Sequence, residues 1–574
     1  MNEVLQKAFI AGVERVAAWA DLLDSINVFP VADGDTGRNL SISLTPMLTS
    51  HQEKETVIRQ LLLSARGNSG NIASRFFSAF YQIDSWQDLH SFTQEGRDRA
   101  WRALNDPRPG TMLTVFDALA ESLTPGATVP DQEAIDSIIN RLEKSVHDTC
   151  EMLPKLKKAG VVDAGALGIY IFFEGFFYSL VGTEHEYRPI PELFKNRLHI
   201  SSAFHENAET GYCVDFVVKA QNLSENELAE ITRDQESVIV IPEGDLYKIH
   251  LHTDNREKIK DEVAKFGSMV NWEDDNLNQQ INELRNAKFN KKLHVMTDAA
   301  GSLTRADAKK DGITLLHSYI TLGGKCLPET HFHPGELYAA MRQGIKVSTS
   351  QASLFERHQF YESVLDQFEK VIYLCVGSIY TGNYSSAVEW KKQHDPQNRL
   401  VIVDTGTASG RLAVIVLATT RYLAETKDVE KAIIFANKAI QACEEYVFLD
   451  KLEYVAAGGR LSKTSAFFGD MLKMKPVVSP QPEGAKKVGV VRNQKDQIKM
   501  ALERLAASLT KEAKAIIMLE YSDNYDLVKG TIKPLIAANY PQAEIIIQPL
   551  SLTSGAHMGP GTWAVAFLSE VGSL

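Results

Sequence analysis

At 574 residues the chain is too long for one hydrophobic core and predicts three or four domains. Its apolar content of 44% is that of a globular protein. A net charge of −12 and an isoelectric point near 5.7 argue against a nucleic-acid binder, so Lys155, Lys157 and Lys158 read as a solvated helix face. The five cysteines are widely spaced and form no Cys-x-x-Cys pair, which suits a reducing cytosol.

No signal peptide opens the chain; residues 3–23 instead place Leu5, Phe9, Val13, Val16, Ala20 and Leu23 on one helical face. Residues 27–39, Asn-Val-Phe-Pro-Val-Ala-Asp-Gly-Asp-Thr-Gly-Arg-Asn, then gather carboxylates, glycines, a hydroxyl and amides into one tight turn. Asp33 and Asp35 flank Gly34, so the backbone can bend to aim both carboxylates at one hard cation. Mg2+ carrying a nucleotide is the natural occupant, although for an isolated Asp-Gly-Asp-Thr-Gly an Asx-type surface turn is the better reading. A second motif tips the balance. Residues 65–70, Ala-Arg-Gly-Asn-Ser-Gly, lie between the mostly apolar stretch 58–63 and the helical-looking stretch 71–80. A loop followed by a helix lets backbone N–H groups approach an anion, which the helix dipole also favours.

Two further motifs follow, Arg108-Pro109-Gly110-Thr111-Met112-Leu113 and, at residues 161–168, Val-Val-Asp-Ala-Gly-Ala-Leu-Gly. Residues 132–153 carry helical periodicity. The greasiest stretch, 161–182, is interrupted by Asp163, Glu174 and several glycines. It falls short of the roughly 20 uninterrupted apolar residues of a membrane span and reads as a buried helix. The first 180 residues therefore predict an all-helical bundle.

In this order the four motifs resemble the DhaL nucleotide-binding domain, most closely that of the kinase subunit of bacterial fatty acid kinase. The resemblance covers about the first third of the chain and implies an all-α, ATP- and Mg2+-binding kinase domain over residues 1–187. It further implies that Asp33 and Asp35 hold Mg2+ with Asn27 as an additional ligand, and that Ser69 and Gly70 cradle phosphate. Thr36, Asn39, Thr111, Met112, Asp163 and Gly165 would line the nucleotide site. Ala32 stands where a second proline is common.

After Tyr187-Arg188-Pro189-Ile190-Pro191, whose prolines mark a linker, residues 215–220 and 236–241 read as strands with a helix over 224–232 between them. A small α/β middle domain over 192–287 follows. It holds Cys213 in Gly-Tyr-Cys-Val-Asp-Phe, and His250 and His252 in Ile-His-Leu-His-Thr-Asp. Residues i and i+2 of a strand share a face, and one thiol with two imidazoles suits Zn2+. On spacing alone, a core cysteine and a half-exposed His-x-His describe the same residues. The fatty acid kinase subunit is similar here too, and that resemblance implies zinc ligation by Cys213, His250 and His252 beside the phosphoryl-transfer path; a phosphoryl-accepting histidine is the competing role.

From Lys292 the pattern alternates strand and helix, with strands at 293–297, 371–376, 400–403, 515–519 and 544–547. Such alternation predicts a largely parallel sheet whose ligands gather at the carboxyl ends of strands. Residues placed just after these strands include Asp298, the run 378–383 and Asp404-Thr405-Gly406. Four signatures accompany them: Ser348-Thr349-Ser350-Gln351, Tyr380-Thr381-Gly382-Asn383-Tyr384, Ala457-Gly458-Gly459-Arg460-Leu461-Ser462 and Gly555-Ala556-His557-Met558-Gly559-Pro560-Gly561. Together they resemble the DegV family over residues 292–574, which implies an α/β fatty-acid-binding domain. By that resemblance Thr349, Ser350, Thr381 and His557 surround a carboxylate and Arg460 lies near the head-group end. Thr381-Gly382-Asn383 replaces a usual Ser-Gly-Thr, while Ala299 and Ala352 replace a common serine and proline. The DegV-like domain stands where the kinase subunit usually has its own C-terminal domain.

A carboxylate is already ionised at neutral pH, so phosphorylating it needs position and charge neutralisation rather than a general base. The chain accordingly offers no evident Ser-His-Asp arrangement and no Walker motif, since Gly324-Lys325 is followed by Cys326. The expectation is an Mg2+-dependent kinase that uses ATP to convert a bound fatty acid to acyl phosphate. Its alternatives are a dihydroxyacetone-type small-molecule kinase and a lipid-binding or sensing protein with a regulatory nucleotide domain. A homodimer in the cytoplasm is expected, with transient membrane contact but no transmembrane segment, and with acyl-phosphate-using enzymes of phospholipid synthesis as partners.

Overall fold

The apolar periodicity of the first 180 residues folds into ten α-helices among the described residues. These are α1 (Glu3–Ala18), α2 (Ala20–Ser25), α3 (Thr36–Leu44), α4 (Lys54–Ser64), α5 (Gly67–Phe80), α6 (Leu89–Trp101), α7 (Met112–Ser122), α8 (Gln132–Met152), α9 (Pro154–Ala159) and α10 (Ala164–Leu180). The computed structural model describes residues 3–48, 52–104, 106–125, 131–182, 187–201, 204, 211–220, 227, 231–233, 235–286, 292–451, 453–454 and 474–569. They fall into two units, Met1–Asn286 and Ala287–Leu574.

Helix α10 is greasy all round because it is buried all round. Its Phe172, Phe173 and Phe176 interleave with Phe9 of α1 and with Phe76, Phe77 and Phe80 of α5. Its single charge, Glu174, forms a buried ion pair with Arg15 of α1 and accepts from Tyr170 Oη at 3.1 Å. Among the described residues no helix is long and apolar enough to cross a membrane. The helix expected over 3–23 breaks at Trp19 into α1 and α2, yet all six of its predicted face residues are buried.

The loop expected at 65–70 is shorter than its glycines suggested. Only Ala65 and Arg66 separate α4 from α5, and Gly67 to Gly70 form the first turn of α5. Gly70 is needed there for packing. A Cβ at that position would lie 2.1 Å from Ser43 Oγ of α3, a hydroxyl that donates to Asn39 O at 2.6 Å and accepts from Arg66 N at 3.0 Å.

The rest of the first unit is built on an antiparallel sheet of β1 (Tyr212–Lys219), β2 (Glu236–Glu243), β3 (Leu246–Thr253) and β4 (Ser268–Asn276), in the order β2-β3-β1-β4, with short helices beside it. Val214, Phe216 and Val218 of β1 pack with Ile259 and Val263 of the helix Arg256–Phe266. Cys213, Asp215 and Val217 therefore face the opposite way. The helix expected at 224–232 lies largely outside the described residues.

The second unit holds β5 (Leu293–Asp298), β6 (Ile313–Leu316), β7 (Ser318–Leu322), β8 (Lys325–Pro328), β9 (Val347–Gln351), β10 (Lys370–Cys375) and β11 (Leu400–Asp404), followed by β12 (Glu444–Phe448), β13 (Lys475–Gln481), β14 (Gly484–Val491), β15 (Ile516–Tyr521), β16 (Glu544–Pro549) and β17 (Trp563–Leu568). Sheet β11-β10-β5-β6 is wholly parallel, β8-β7-β9 is antiparallel, and β14-β13-β12-β17-β15-β16 is parallel only between β15 and β16. The five strands legible in the sequence all belong to these parallel pairs and are mostly apolar runs; the sixth strand in them, the four-residue β6, was not legible. The helix Ser409–Thr426 joins the larger sheets, its Leu412 and Ile415 sharing a core with Val295 and Ile372 on one side and Met518 and Ala566 on the other.

Two histidines, His294 buried and His317 half-buried, each contribute acid sensitivity to this unit. Burial pushes His294 down to about 3, and burial with the charge of Arg305 pushes His317 to about 3. Each is neutral when folded and takes a proton on unfolding below about pH 6.5, so its stability contribution is full above that pH and is lost toward pH 3. His294, stacked on Phe368 and 2.8 Å from Thr314 Oγ1, is the cleaner case. His294→Gln should reduce the loss of stability between about pH 7.5 and 5.5 by about 1 kcal/mol in chemical unfolding; an unchanged loss would contradict neutral burial. For the helical part, Gly70→Ala should cost about 1–3 kcal/mol by overpacking against Ser43, and Ser43→Gly should restore part of it.

Candidate functional site

Four helices of the bundle begin at one cleft of about 460 Å³. Asp35 stands just before α3, Gly67 to Ser69 are the first turn of α5, Thr111 caps α7 and Asp163 caps α10, and all of them line the cleft with Thr36, Met112 and Gly165. Asp163 accepts from Ala166 N at 2.7 Å. Helix starts carry unsatisfied N–H groups and partial positive charge, so the cleft concentrates four such ends on a small volume.

Against these positive ends stand Asp33 and Asp35. Gly34, with φ of +68°, makes the bend between them. Asn27 braces the turn: its Nδ2 donates to Asp33 Oδ1 at 2.5 Å and to Val31 O at 3.0 Å, and its Oδ1 accepts from the Thr36 hydroxyl. Burial, reinforced by the charge of Asp35, pushes Asp33 well above the usual carboxylate range. Burial also raises Asp35 to about 6, with Arg38 opposing. Two neighbouring carboxylates, one buried and one half-buried, that resist ionisation together are a natural seat for a divalent cation with oxygen ligands.

Two of the expected nucleotide residues stand back from the cleft lining. Gly70 packs against α3, and Asn39 fills the space beside Gly67, where its Nδ2 would be 2.1 Å from a Cβ. The far wall comes from the sheet, as Cys213, Gln235, Ser237, Val238 and His252. The edge strand β2 was legible in the sequence, but its place on the cleft had no sequence signal.

In the β1–β3 register Cys213 faces His252 and Asp215 faces His250, so all four share one face. The thiol and the two imidazoles bring their ligand atoms within 4.8 Å of one another. Burial, then the neighbouring His250, lowers His252 to about 3, leaving a neutral ring able to ligate. His250 is fully buried and neither of its ring nitrogens completes a hydrogen bond. Burial, followed by the charges of Asp215, Asp35 and Asp33, raises the Cys213 thiol. This donor set fits Zn2+, which would favour the thiolate.

Asp215 is the residue that sequence reasoning passed over. Its Oδ2 accepts from Gly67 N at 2.8 Å and its Oδ1 from Asn71 Nδ2 at 2.9 Å, while Lys248 Nζ lies 3.0 Å from Oδ1 and His250 Nδ1 3.2 Å from Oδ2. Burial opposes its ionisation, but Lys248 and His250 outweigh it and hold Asp215 well below the usual range. Beside it on β4, Glu273 pairs with Arg66 at 2.6 Å and Asp275 with Arg38 at 3.2 Å. The two-residue period from Cys213 was the signal that could have found Asp215.

The second unit has its own cavity of about 330 Å³, lined by Thr349, Ser350, Thr381 and His557 and by apolar groups such as Val447, Val478, Pro480 and Met558. His557 Nε2 lies 3.1 Å from Thr349 Oγ1. Arg460 and its Gly-Gly-Arg motif lie outside the described residues. Asp298 borders the cavity and accepts from Tyr373 Oη, Val376 N and Asn383 Nδ2 at 2.7, 2.6 and 2.8 Å, while burial raises it to about 6. The amide of Asn383, standing where a hydroxyl is usual, is thus spent on Asp298.

Family models match three segments: a DAK2 domain (residues 30–178), a FakA-like middle domain of the fatty acid kinase type (209–284) and the DegV family (292–570). An uncharacterized protein of Staphylococcus haemolyticus is 31% identical over 313 residues, covering 49% of this chain and 56% of the relative. One of Staphylococcus aureus MRSA252 is 30% identical over 306 residues, covering 48% and 55%. The chain thus spans about half the length of the curated relatives it matches. Among solved structures, a fatty-acid-binding DegV family protein of Thermus thermophilus is 24% identical at a TM-score of 0.45, covering 49% of this chain and 100% of that one. DegV of Bacillus subtilis, a fatty acid binding protein, is 19% identical at 0.45 with the same coverage. The chain therefore carries a DAK2 domain, a FakA-like middle domain and a DegV-family domain in one polypeptide.

Proposed function

We propose that the protein is an Mg2+-dependent phosphotransferase that moves the γ-phosphoryl group of ATP to the carboxylate of a fatty acid held in the cavity of the second unit. The observation that carries this reading is the convergence of four helix starts on Asp33 and Asp35. The helix ends favour a polyphosphate, and the carboxylates favour the cation that accompanies it. Mg2+ on Asp33 and Asp35 would supply charge neutralisation at the transferring phosphoryl group. Asn27 sets the angle of the turn, and the first-turn amides at Asn68 and Ser69 offer donors to phosphate oxygens. A carboxylate oxygen attacks the γ-phosphorus, its bond to the bridging oxygen breaks, and ADP leaves with the electron pair. No proton has to be removed from the nucleophile.

The DegV-family match and the cavity support a fatty acid as acceptor: the wall is largely apolar, while Thr349, Ser350, Thr381 and His557 supply donors for a carboxylate. Cys213, His250 and His252 would hold Zn2+ as a bordering wall of the cleft. Carrying both sites on one polypeptide raises their effective concentration, to the order of millimolar for a short flexible connection. The product is a mixed anhydride, suited to enzymes of phospholipid synthesis that take acyl phosphate in the cytoplasm. The Asp33–Asp35 pair in the cleft speaks against a silent nucleotide domain in a lipid sensor.

Asp35→Ala should lower fatty-acid-dependent release of ADP at least about 100-fold and leave oleate binding unchanged. Retained turnover would remove Asp35 from the cation site, and loss of oleate binding would show a wider structural role. Metal analysis of the purified chain should give Zn2+ at one per chain, falling to a small fraction in Cys213→Ser/His252→Ala. Undiminished zinc in that variant would rule out this trio.

A further inference from the structure

The nucleotide cleft and the candidate zinc trio are joined by one buried carboxylate. Asp215 is 4% exposed and its counter-ion Lys248 is 3% exposed, so the pair lies outside solvent. Removing two charges from water costs more than packing apolar groups of the same volume, so stability alone does not call for an ion pair here. What the carboxylate does with its two oxygens is more specific. Oδ2 accepts from Gly67 N, which opens the first turn of α5, and faces His250 Nδ1; Oδ1 accepts from Asn71 Nδ2, one turn further along the same helix, and pairs with Lys248. Nδ1 lies 3.2 Å from the carboxylate without completing a hydrogen bond, while Nε2 meets no polar partner, so Nε2 is the ring nitrogen better placed to take an ion. Asn39 closes the other side of Gly67.

We propose that Asp215 is a positioning residue that holds the imidazole of His250 and the first turn of α5 together, so that metal at Cys213, His250 and His252 and nucleotide in the cleft bind cooperatively. This rests on the reading of those two places as metal and nucleotide sites. An ion that draws His250 toward Cys213 and His252 acts on Asp215, and through Gly67 on the amides that would meet phosphate. Linkage then requires that nucleotide tighten metal binding by the same factor as metal tightens nucleotide.

The test uses the full chain and the charge-neutral double variant Asp215→Asn/Lys248→Met, which leaves no buried cation stranded. Zn2+ affinity is read by competition with a chromophoric chelator, and MgADP affinity by calorimetry with and without Zn2+. In the wild-type chain Zn2+ should tighten MgADP at least about 5-fold. In the variant Zn2+ should bind about 10- to 100-fold more weakly, and MgADP should no longer respond to it. A lowered melting temperature with both affinities and their coupling intact would mean a purely structural carboxylate and overturn the proposal. So would a wild-type chain in which Zn2+ leaves MgADP affinity unchanged. Should the double variant fail to fold, Asp215→Glu reads the same affinities with the charge kept and the reach altered, and wild-type coupling there would equally overturn it. These are binding measurements, so a chain that couples Zn2+ to MgADP but phosphorylates no fatty acid would sink the proposed activity and leave Asp215 in its role.

Discussion

Asp35 is buried and Asp33, two positions before it, is half-buried; the pair cannot both be ionised at low cost, and much of the first unit is arranged about that constraint. The turn that carries them is braced from within by Asn27 and tied to α3 by Asp24, whose Oδ1 accepts from Gly37 N and Arg38 N at 2.8 and 3.1 Å. The starts of α3, α5, α7 and α10 face the same space. A carboxylate pair alone would favour any divalent cation, and helix starts alone would favour any anion. Together they favour a cation that brings its own polyanion.

The sheet extends the same electrostatic logic. Its inward face presents Asp215, Glu273 and Asp275, and the helical part meets them with Gly67 N, Arg66 and Arg38. The partly exposed pairs of β4 add little by themselves, being open to solvent screening. The buried Asp215 is different, because removing one partner of such a cluster strands the others without water. Sheet and bundle therefore build one cleft from two elements that are far apart in the chain, and Cys213 and His252 reach its wall because β1 and β3 are fixed there.

How much of this was legible in the sequence follows from where the chemistry sits. Asp33, Asp35, Thr36, Ser69, Thr111, Met112, Asp163 and Gly165 lie at or just before helix starts, where glycine and small polar residues leave a local signature, and all of them line the cleft. Gly70 and Asn39 carry the same signature for another reason, the close approach of α3 and α5, which local sequence does not distinguish from phosphate binding. Asp215, Lys248 and the pairs with Arg38 and Arg66 are contacts between segments up to 237 residues apart, and no local pattern encodes them. In the second unit five of the six strands in parallel pairs stood out as mostly apolar runs, and the four-residue β6 did not. The antiparallel strands were not legible either: β14 is half-exposed and carries two lysines, so its pattern resembles a loop, while β17 is a buried apolar run that sequence reasoning passed over. The lining of the second cavity by Thr349, Ser350, Thr381 and His557 was legible only through family motifs, since those residues are up to 208 positions apart and meet through the fold.

The central claim is that a fatty acid carboxylate accepts phosphoryl from ATP. It is tested most directly by incubating the purified chain with Mg2+, ATP and oleate in hydroxylamine and following acyl hydroxamate, which traps any acyl phosphate formed. Oleoyl hydroxamate that requires ATP, Mg2+ and oleate together is the expected result. ATP consumption without hydroxamate across several fatty acids, by a chain that still holds lipid, would contradict it.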